Sequence, residues 1–374
     1  MRRMLWGALA CLCVLASCVP VEAPAPAIGG EVVALVPMGG TDRRLATAAG
    51  AGGYALRSSR SLPGLGLDML TFALPEGVSG PAAIDALEAV EPRASVGLNH
   101  IYRLQQAAGD RTFEYASALM DWPAEGCAAL APVGLIDTGV DPRAVASSSA
   151  RVIARRFAPG ASLDARHGTE VATVLAHPAR LRGAVIYSAD VVRDTRSGGE
   201  ISDAETLIQA LDWLVGEGVR VVNLSLAGPY NKLLNLAVEA AAGRGVILVA
   251  AAGNAGPRAA PQFPAGFDPV IAVTAVDAAR DIYAGAVRGP HIDVAAPGVD
   301  VFVALGGQGR FVTGTSIAAP FVTARILADA DLLAAPDISE LRDRLAARSE
   351  DLGPVGADPL FGAGLIMARD LCPG

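Results

Sequence analysis

The sequence contains little positive charge and few aromatic side chains. Lysine occurs once, at Lys232, and the 374 residues carry a formal net charge of −8. Because proteins that bind nucleic acid need a basic face, this balance argues against a nucleic-acid partner. Aromatic residues make up 5% of the chain, whereas apolar residues make up 52%. We therefore expect a large core built mainly from small aliphatic side chains.

Histidine and cysteine are also scarce. The chain has four histidines and five cysteines, and their spacing matches no metal-binding pattern. No acidic cluster has the composition of a calcium loop. We therefore expect neither a metal ion nor a cofactor.

The first 18 residues predict an export signal. Arg2 and Arg3 precede an apolar run, residues 4–16, that is too short to span a bilayer. The run ends in Leu-Ala-Ser-Cys, which resembles the bacterial lipobox. We expect Cys18 to carry lipid and to anchor an exported protein to the cell envelope, on its periplasmic or outer-surface face. The alternative is an ordinary secretory signal and a secreted protein.

Two further segments precede the main part of the chain. Residues 19–29 are rich in proline and alanine, which predicts an extended tether. Residues 30–106 show the order β-α-β-β-α-β, typical of a small α+β, ferredoxin-like unit, with a last strand from Ala94 to Leu104. Residues 107–127 are mixed in polarity and are predicted to be a linker.

Residues 128–374 predict an α/β domain. Fully apolar strands alternate with helices, which indicates a doubly wound, mostly parallel sheet with helices on both faces. Binding sites in such sheets lie beyond the carboxyl ends of the strands. Asp137, Ser225 and Asn254 all fall just after predicted strands.

Three polar residues are candidates for chemistry. Ser316 stands at the entrance of a predicted helix, beside the positive end of its dipole, with Pro320 expected in the first turn. An N-cap serine is the alternative interpretation. His167 alone among the histidines stands between small residues at a helix start. Asp137 ends a buried strand, where a carboxylate needs a partner such as an imidazole N–H.

The order of these residues resembles a known family. Residues 136–140 (Ile-Asp-Thr-Gly-Val), 167–172 (His-Gly-Thr-Glu-Val-Ala) and 314–320 (Gly-Thr-Ser-Ile-Ala-Ala-Pro) resemble the three catalytic motifs of the subtilisin-like serine proteases, or subtilases. Residues 250–254 resemble the segment that carries the family's oxyanion asparagine. Residues 225–228 resemble the strand that pairs with substrate.

The resemblance implies a serine endopeptidase that acts on proteins or peptides through an acyl-enzyme. Ser316 would be the nucleophile, His167 the base, Asp137 the acid that orients it, and Asn254 the oxyanion donor. The residues implied in substrate binding are Ser225, Leu226, Ala227, Gly228, Ala252 and Gly253. Glu170 replaces a second histidine common in the family, with little expected effect, and Ala227 replaces a glycine, which would narrow the first specificity pocket.

The resemblance also implies a role for residues 30–106. They resemble the inhibitory propeptide of subtilases, which would assist folding and then occupy the substrate groove. This unit is then an internal partner of the protease domain.

Two cysteines remain after export besides Cys18. Cys127 and Cys372 flank the protease domain, and an exported compartment is oxidising, so we expect a disulfide between them. Two buried, unpaired cysteines are the alternative.

Two other function classes are considered. A catalytically silent, peptide-binding lipoprotein on the same scaffold is the alternative to the enzyme. A lipase or esterase of the α/β-hydrolase type would need Gly-x-Ser-x-Gly and the order Ser, Asp, His, and the sequence has neither.

Overall fold

The computed structural model describes residues 27–104, 115–160, 164–194, 200–305 and 308–372, with backbone only for Arg103 and Leu104. The predicted export signal, Cys18 and the first part of the tether lie outside these ranges. Within them, no helix is both long enough and apolar enough to cross a membrane.

The N-terminal unit is a four-stranded antiparallel sheet with two helices. Along the chain, its elements follow the predicted order β-α-β-β-α-β. Within the sheet, the strands lie in the order β2-β3-β1-β4. The apolar residues of the central strand β1 are buried on both faces. The elements are β1 (Glu31–Pro37), α1 (Thr41–Ala51), β2 (Ala55–Leu62), β3 (Leu67–Ala73), α2 (Gly80–Val90) and β4 (Ser95–Gly97).

The predicted last strand of this unit is in fact two strands. β4 pairs with β1, whereas β5 (Ile101–Leu104) joins a different sheet. The chain turns between them, where the His100 N–H donates to the Leu98 carbonyl at 3.1 Å. Alternation of apolar residues cannot reveal such a change of partner, because both pieces are extended.

The tether is shorter than the predicted residues 19–29. Ala27 forms a bridge with His100, and the Ile28 N–H donates to the Asn99 carbonyl at 2.8 Å. These residues therefore belong to the folded unit, because their backbone groups are paired within it.

The rest of the chain forms the α/β domain. Its strands are β6 (Cys127–Ala128), β7 (Val133–Asp137), β8 (Arg151–Arg156), β9 (Leu181–Arg182), β10 (Val185–Asp190), β11 (Arg193–Asp194), β12 (Glu200–Asp203), β13 (Val221–Leu224), β14 (Leu226–Ala227), β15 (Ile247–Ala251), β16 (Val270–Val276), β17 (Val294–Pro297), β18 (Val301–Leu305), β19 (Gln308–Val312), β20 (Ser349–Glu350) and β21 (Leu365–Ile366). Its helices are α3 (Ala116–Leu119), α4 (Arg166–Leu175), α5 (Ala204–Gly216), α6 (Lys232–Ala242), α7 (Thr315–Leu327), α8 (Ala330–Leu333) and α9 (Ile338–Ala346), with a 3-10 helix at Pro142–Ser148.

A nine-stranded sheet in the order β20-β21-β17-β16-β15-β13-β7-β10-β8 organises this domain. All its pairs are parallel except that of the edge strand β20 with β21. Val221 and Val249 face the core formed with α4 and α7, whereas Val222 and Leu248 face the core formed with α5 and α6. The predicted doubly wound sheet with helices on both faces is therefore confirmed.

Residues 115–127 are not the linker that the sequence predicted. They contain α3, and Ala116 and Met120 are completely buried in the same core as α4 and α7. The Tyr115 hydroxyl donates to the Val299 carbonyl at 2.6 Å. Ala116 and Met120 are four residues apart, which puts both on one helix face. In so short a segment that pattern is easily missed.

The N-terminal unit packs on helices α5 and α6. Val33, Leu35 and Met69 of its sheet share one apolar core with these helices. Polar contacts flank this core: Thr71 Oγ1 donates to Glu205 Oε2 at 3.1 Å, and Asn99 Oδ1 accepts from the Glu205 N–H at 3.0 Å. The unit thus covers the two helices that lie beside β12 and β14.

Candidate active site

The three predicted catalytic residues meet at the carboxyl edge of the large sheet. Asp137 ends β7, while His167 and Ser316 are the second residues of α4 and α7. His167 Nδ1 lies 2.7 Å from Asp137 Oδ1, and His167 Nε2 lies 3.2 Å from Ser316 Oγ. All three side chains are buried. The arrangement is a continuous path of hydrogen bonds from a carboxylate through an imidazole to a hydroxyl.

Close contact between α4 and the end of β7 fixes the first of these distances. The Gly168 N–H donates to Thr138 Oγ1 at 2.7 Å, and the Thr138 N–H donates to Asp137 Oδ1 at 2.7 Å. A Cβ on Gly168 would lie 2.3 Å from the Thr138 carbonyl oxygen. Only glycine allows this approach, so the residue after His167 must be small for the carboxylate and imidazole to meet.

Ser316 is not an N-cap residue. Gly314 is the N-cap of α7, and Ser316 follows one residue inside the helix. Pro320 also lies deeper in the helix than the expected first turn. Because proline has no N–H, it cannot bond the Ser316 carbonyl four residues earlier. Ser225 Oγ donates to that carbonyl instead, at 3.0 Å.

Ser225 belongs to a buried polar network that sequence reasoning missed. Asn223 Nδ2 donates to Ser225 Oγ at 2.8 Å, and Thr323 Oγ1 donates to Asn223 Oδ1 at 2.9 Å. The network ties the end of β13 to α7, and so positions Ser316. The sequence did contain two signals of this network. Asn223 lies within an apolar strand and Thr323 within an apolar helix, and buried polar groups need hydrogen-bond partners.

Asn254 lies beside the start of α7, and Thr315 orients it. Asn254 Oδ1 accepts hydrogen bonds from the Thr315 N–H at 3.1 Å and from Thr315 Oγ1 at 2.9 Å. Thr315 Oγ1 in turn accepts from the Gly253 N–H at 3.0 Å. With its oxygen held in this way, the Asn254 amide has a fixed orientation. Like Asn223 and Thr323, Thr315 was not predicted from the sequence to position a residue of the site.

The predicted substrate strand β14 is paired with the chain's own segment β5. Leu104 pairs with Leu226 and Arg103 pairs with Ala227, antiparallel. The other edge of β5 pairs with β12, which gives a four-stranded sheet in the order β11-β12-β5-β14. Tyr102 is the last residue of β5 whose side chain is described.

Tyr102 anchors this segment. Its side chain is completely buried, and its hydroxyl donates to the Pro229 carbonyl at 3.2 Å. A Cβ on Gly228 would lie 2.6 Å from the Tyr102 ring. Gly228, predicted to bind substrate, therefore makes room for the Tyr102 ring, and it also exchanges two backbone hydrogen bonds with Phe263, at 2.8 and 2.9 Å.

The other two predicted substrate-binding residues, Ala252 and Gly253, lie between β15 and Asn254. The Ala252 N–H donates to the Val273 carbonyl at 2.9 Å, and the Gly253 carbonyl accepts from the Val287 N–H at 3.0 Å. Gly253 has φ +106°, a conformation that favours glycine. This segment is thus held rigidly on one side of Asn254.

Asn231 joins the N-terminal unit to α6. Its Oδ1 caps the helix by accepting from the N–H groups of Leu233 (2.9 Å) and Leu234 (3.0 Å). Its Nδ2 donates to the Leu98 carbonyl at 2.6 Å and lies 3.1 Å from His100 Nδ1. Because the cap fixes the amide, His100 Nδ1 must accept and therefore lacks a proton. Burial lowers the pKa of His100.

The charges around His167 favour its protonated form. Burial lowers the pKa of His167, but the adjacent Asp137 carboxylate outweighs it, with additional contributions from Glu170 and Glu200, so the pKa is raised. Glu170 is completely buried one turn after His167 and forms an ion pair with Arg310 at 2.8 Å. Glu170, which replaces the second histidine common in the family, therefore places a carboxylate paired with Arg310 close to the His167 imidazole.

Two further predictions concern cysteines and metals. Cys127 and Cys372 lie at bonding distance, with Cα atoms 5.9 Å apart. No group of three or more His, Cys, Asp or Glu residues could hold a metal ion in the ranges that the structure describes. The Phe263–Pro264 peptide bond is cis.

Comparison with known proteins identifies the family. The subtilase family (peptidase S8) matches residues 131–364. Subtilisin DY of Bacillus licheniformis is 32% identical over 253 residues, which cover 63% of this chain and 88% of that protein. The minor extracellular protease Epr of Bacillus subtilis is 29% identical over 247 residues, which cover 63% of this chain and 38% of Epr. The match thus spans well under half of Epr.

Solved structures show the same fold. Fervidolysin of Fervidobacterium pennivorans, a keratinolytic enzyme related to subtilisin, superposes with a TM-score of 0.69 at 19% identity, covering 92% of this chain and 61% of that chain. The epidermin leader peptide processing protease EpiP of Staphylococcus aureus gives 0.65 at 15% identity, covering 91% and 97%. The chain belongs to the subtilase family and has the subtilisin-like α/β fold.

Proposed function

We propose that the protein is a serine endopeptidase in which Asp137, His167 and Ser316 form the catalytic triad. The observation that carries the proposal is the hydrogen-bonded path of 2.7 Å and 3.2 Å between these three buried side chains. A hydroxyl is a weak nucleophile until a base takes its proton. Here the imidazole is within reach of that proton, and a carboxylate holds its other nitrogen.

The reaction proceeds in two halves. Ser316 Oγ attacks the scissile carbonyl carbon while its proton passes to His167 Nε2, and the carbonyl oxygen becomes an oxyanion. The Asn254 amide N–H and the Ser316 backbone N–H stabilise that charge. His167 then protonates the departing amine, which leaves an acyl ester on Ser316. Water, deprotonated by His167, then attacks the ester carbon. The bond to Ser316 Oγ breaks as His167 returns the proton to that oxygen, and the carboxylic acid product leaves.

The N-terminal unit acts as an internal inhibitor in this proposal. The pairing of β5 with β14, and the burial of Tyr102 against Gly228, support it, because an extended substrate would need the same strand edge. Processing between residues 104 and 115 would separate the unit from the protease. The unit also supplies packing on α5 and α6, which supports a role in folding this large parallel sheet.

Labelling with an organophosphonate serine reagent tests the catalytic assignment. We expect wild-type protein to be labelled on Ser316, and the Ser316→Ala variant to be unlabelled, unprocessed and inactive on casein. Ser59→Ala removes an exposed serine of β2 and is the matched control. If Ser316→Ala hydrolyses casein at the wild-type rate, the triad assignment is wrong. A properly folded wild type without labelling would instead favour the silent, peptide-binding alternative.

Export and lipid attachment at Cys18 complete the proposal. Several acyl chains hold a protein firmly at a membrane, whereas one chain binds only marginally. Cys18→Ala should move the protein from the membrane fraction to the soluble fraction. A wild-type protein that is soluble and begins at another residue would contradict the anchor.

A further inference from the structure

Arg310 is a charged residue on the inner face of the hairpin formed by β18 and β19. In this hairpin Val301 pairs with Val312, and Val303 pairs with Arg310. Cross-strand partners share one face of a sheet, and the three valines are buried in the core that also contains residues of α4. Arg310 therefore lies on the side of the hairpin that packs against the domain, although 42% of its side chain is exposed.

The partner of Arg310 is Glu170 of α4. The Arg310 guanidinium lies 2.8 Å from Glu170 Oε1, and the Glu170 side chain is completely buried. His167, Glu170 and Val174 are spaced three and four residues apart, so they lie on one face of the helix. The carboxylate is therefore one turn from the imidazole and on the same side of α4.

The ion pair joins the segments that carry the two proposed reacting side chains. His167 lies on the same helix as Glu170. The strand that carries Arg310, β19, ends at Val312 and leads through two residues into α7, where Ser316 is the second residue. A contact between β19 and α4 therefore restrains the position of the imidazole relative to the hydroxyl, which lie 3.2 Å apart.

The charge of Glu170 matters more for His167 than for stability. A buried ion pair contributes little net stability, because the cost of removing its charges from water offsets much of their attraction. Burial also keeps water and salt from screening the carboxylate, so its field reaches nearby groups. Burial of His167 opposes its protonation, but Asp137 and then Glu170 and Glu200 outweigh this effect and raise its pKa.

The other charged groups near this part of α4 come from neighbouring strands and loops. They are Asp137 on β7, Glu200 on β12, Arg310 on β19 and the solvent-accessible ion pairs Asp141–Arg143 and Asp164–Arg166. Each of these two pairs is neutral as a whole. The one charged residue of α7, Arg325, pairs with Asp329 at the opposite end of that helix, and β18 has no charged residue. Glu200 is exposed, so within this set Glu170 is the buried carboxylate that the proposed triad does not use.

We propose that Glu170 and Arg310 form a positioning pair that acts on His167 and sets the lower pH limit of the peptidase. The inference rests on the proposed peptidase function. Because the base must be neutral to accept the Ser316 proton, a carboxylate beside it moves the onset of activity to higher pH. Arg310 offsets part of that charge, so the pair holds the onset at an intermediate pH.

The pH dependence of kcat/KM on an uncharged chromogenic peptide tests the role of Glu170, because it reports groups that titrate in the free enzyme. Glu170→Gln keeps the shape of the side chain and removes its charge. At about pH 5.5, kcat/KM relative to the plateau of each protein should be roughly three- to tenfold higher in this variant than in wild type. Rates are expressed per active site titrated with the phosphonate reagent, so partial misfolding does not change the ratio.

Three further variants separate charge from shape. Arg310→Met removes a positive charge, so the relative rate at about pH 5.5 should fall about two- to fivefold below wild type. Glu170→Asp keeps the charge and should stay within about twofold of the wild-type profile. Asp293→Asn is the matched control, because Asp293 forms an ion pair with Arg342 at 2.7 Å just before β17. That strand is four strands from β7 in the sheet, about 19 Å away, so the profile should not change.

The outcomes distinguish the two proposals. An unchanged profile in Glu170→Gln, or a shift in the same direction in Glu170→Gln and Arg310→Met, would overturn the positioning pair and leave the peptidase function intact. A pair with only a structural role would lower the plateau without moving the profile. Absence of both phosphonate labelling and peptide hydrolysis in folded wild type would overturn both proposals.

Discussion

Replacing Tyr102 with alanine should release the N-terminal unit from the proposed peptidase. The Tyr102 ring is completely buried against Gly228, and its hydroxyl donates to the Pro229 carbonyl at 3.2 Å. It is thus a completely buried contact of β5 with the proposed substrate strand. If the N-terminal unit inhibits by occupying this strand, its affinity should depend strongly on this side chain.

The expected magnitude follows from burial. Removing a buried aromatic side chain costs about 3–5 kcal/mol. The affinity of the unit should therefore fall roughly 10²- to 10³-fold, or more at the upper end. Tyr102→Phe keeps the ring and removes only the hydrogen bond, worth about 0.5–1.5 kcal/mol. That control should weaken inhibition only about two- to tenfold.

The assay is inhibition in trans. Residues 27–106, carrying tyrosine, phenylalanine or alanine at position 102, are added to processed enzyme, and the inhibition constant is measured on a small chromogenic peptide. Circular dichroism of each isolated unit shows whether the substitution has changed its fold. If the alanine variant inhibits within about threefold of wild type, Tyr102 is not an anchor, because the burial argument requires a far larger change.

Four further outcomes are expected. Ser316→Ala and the double variant with His167→Ala should be about equally inactive in kcat, because the residues act as one unit; an additive loss would contradict this. Activity should rise with pH through a pKa of His167 raised above about 6.5, since the base must be neutral, and a pH-rate profile with its acid limb well below that value would refute the charge argument. Inhibition by the N-terminal unit should weaken as pH falls below about 6.5, because burial lowers the pKa of His100 where it contacts Asn231, so that protonation opposes this contact; His100→Gln should remove this dependence of the inhibition constant. Cys127→Ser should lower the free energy of unfolding by up to about 5 kcal/mol if a disulfide with Cys372 closes this long loop, whereas two free thiols in the denatured, unreduced protein would refute the bond.

The sequence predicted the central strands well, because buried parallel strands require continuous apolar runs. Asp137 and Ser225, expected at the ends of apolar strands, are observed at the end of β7 (Val133–Asp137) and immediately after β13 (Val221–Leu224). The candidate residues of the triad could be predicted from the sequence for a related reason. A polar residue directly after such a strand, or at a helix start between small residues, stands out against its surroundings.

Other features could not be predicted because they depend on partners distant in sequence. The extended run from Ala94 to Leu104 divides between two sheets, and only the position of β12 and β14 explains where it divides. Pro320 was expected in the first turn of its helix. Its position inside α7 is tolerated because Ser225, 91 residues away in sequence from Ser316, satisfies the Ser316 carbonyl. Nothing local to residues 314–320 encodes that compensation.

The sequence by itself determined which residues are the candidates for the chemistry and which kind of sheet presents them, because side-chain type, apolar periodicity and glycine placement are local properties. Only the tertiary structure decided their geometry. Asp137 and His167 are 30 residues apart in sequence, and His167 and Ser316 are 149 apart, yet their contacts are 2.7 and 3.2 Å. Such distances are set by packing of α4 and α7 against the sheet and by the hydrogen bonds of Thr138, Asn223 and Thr315. The same packing placed β5 on β14, since this contact requires surfaces that exist only once the chain has folded.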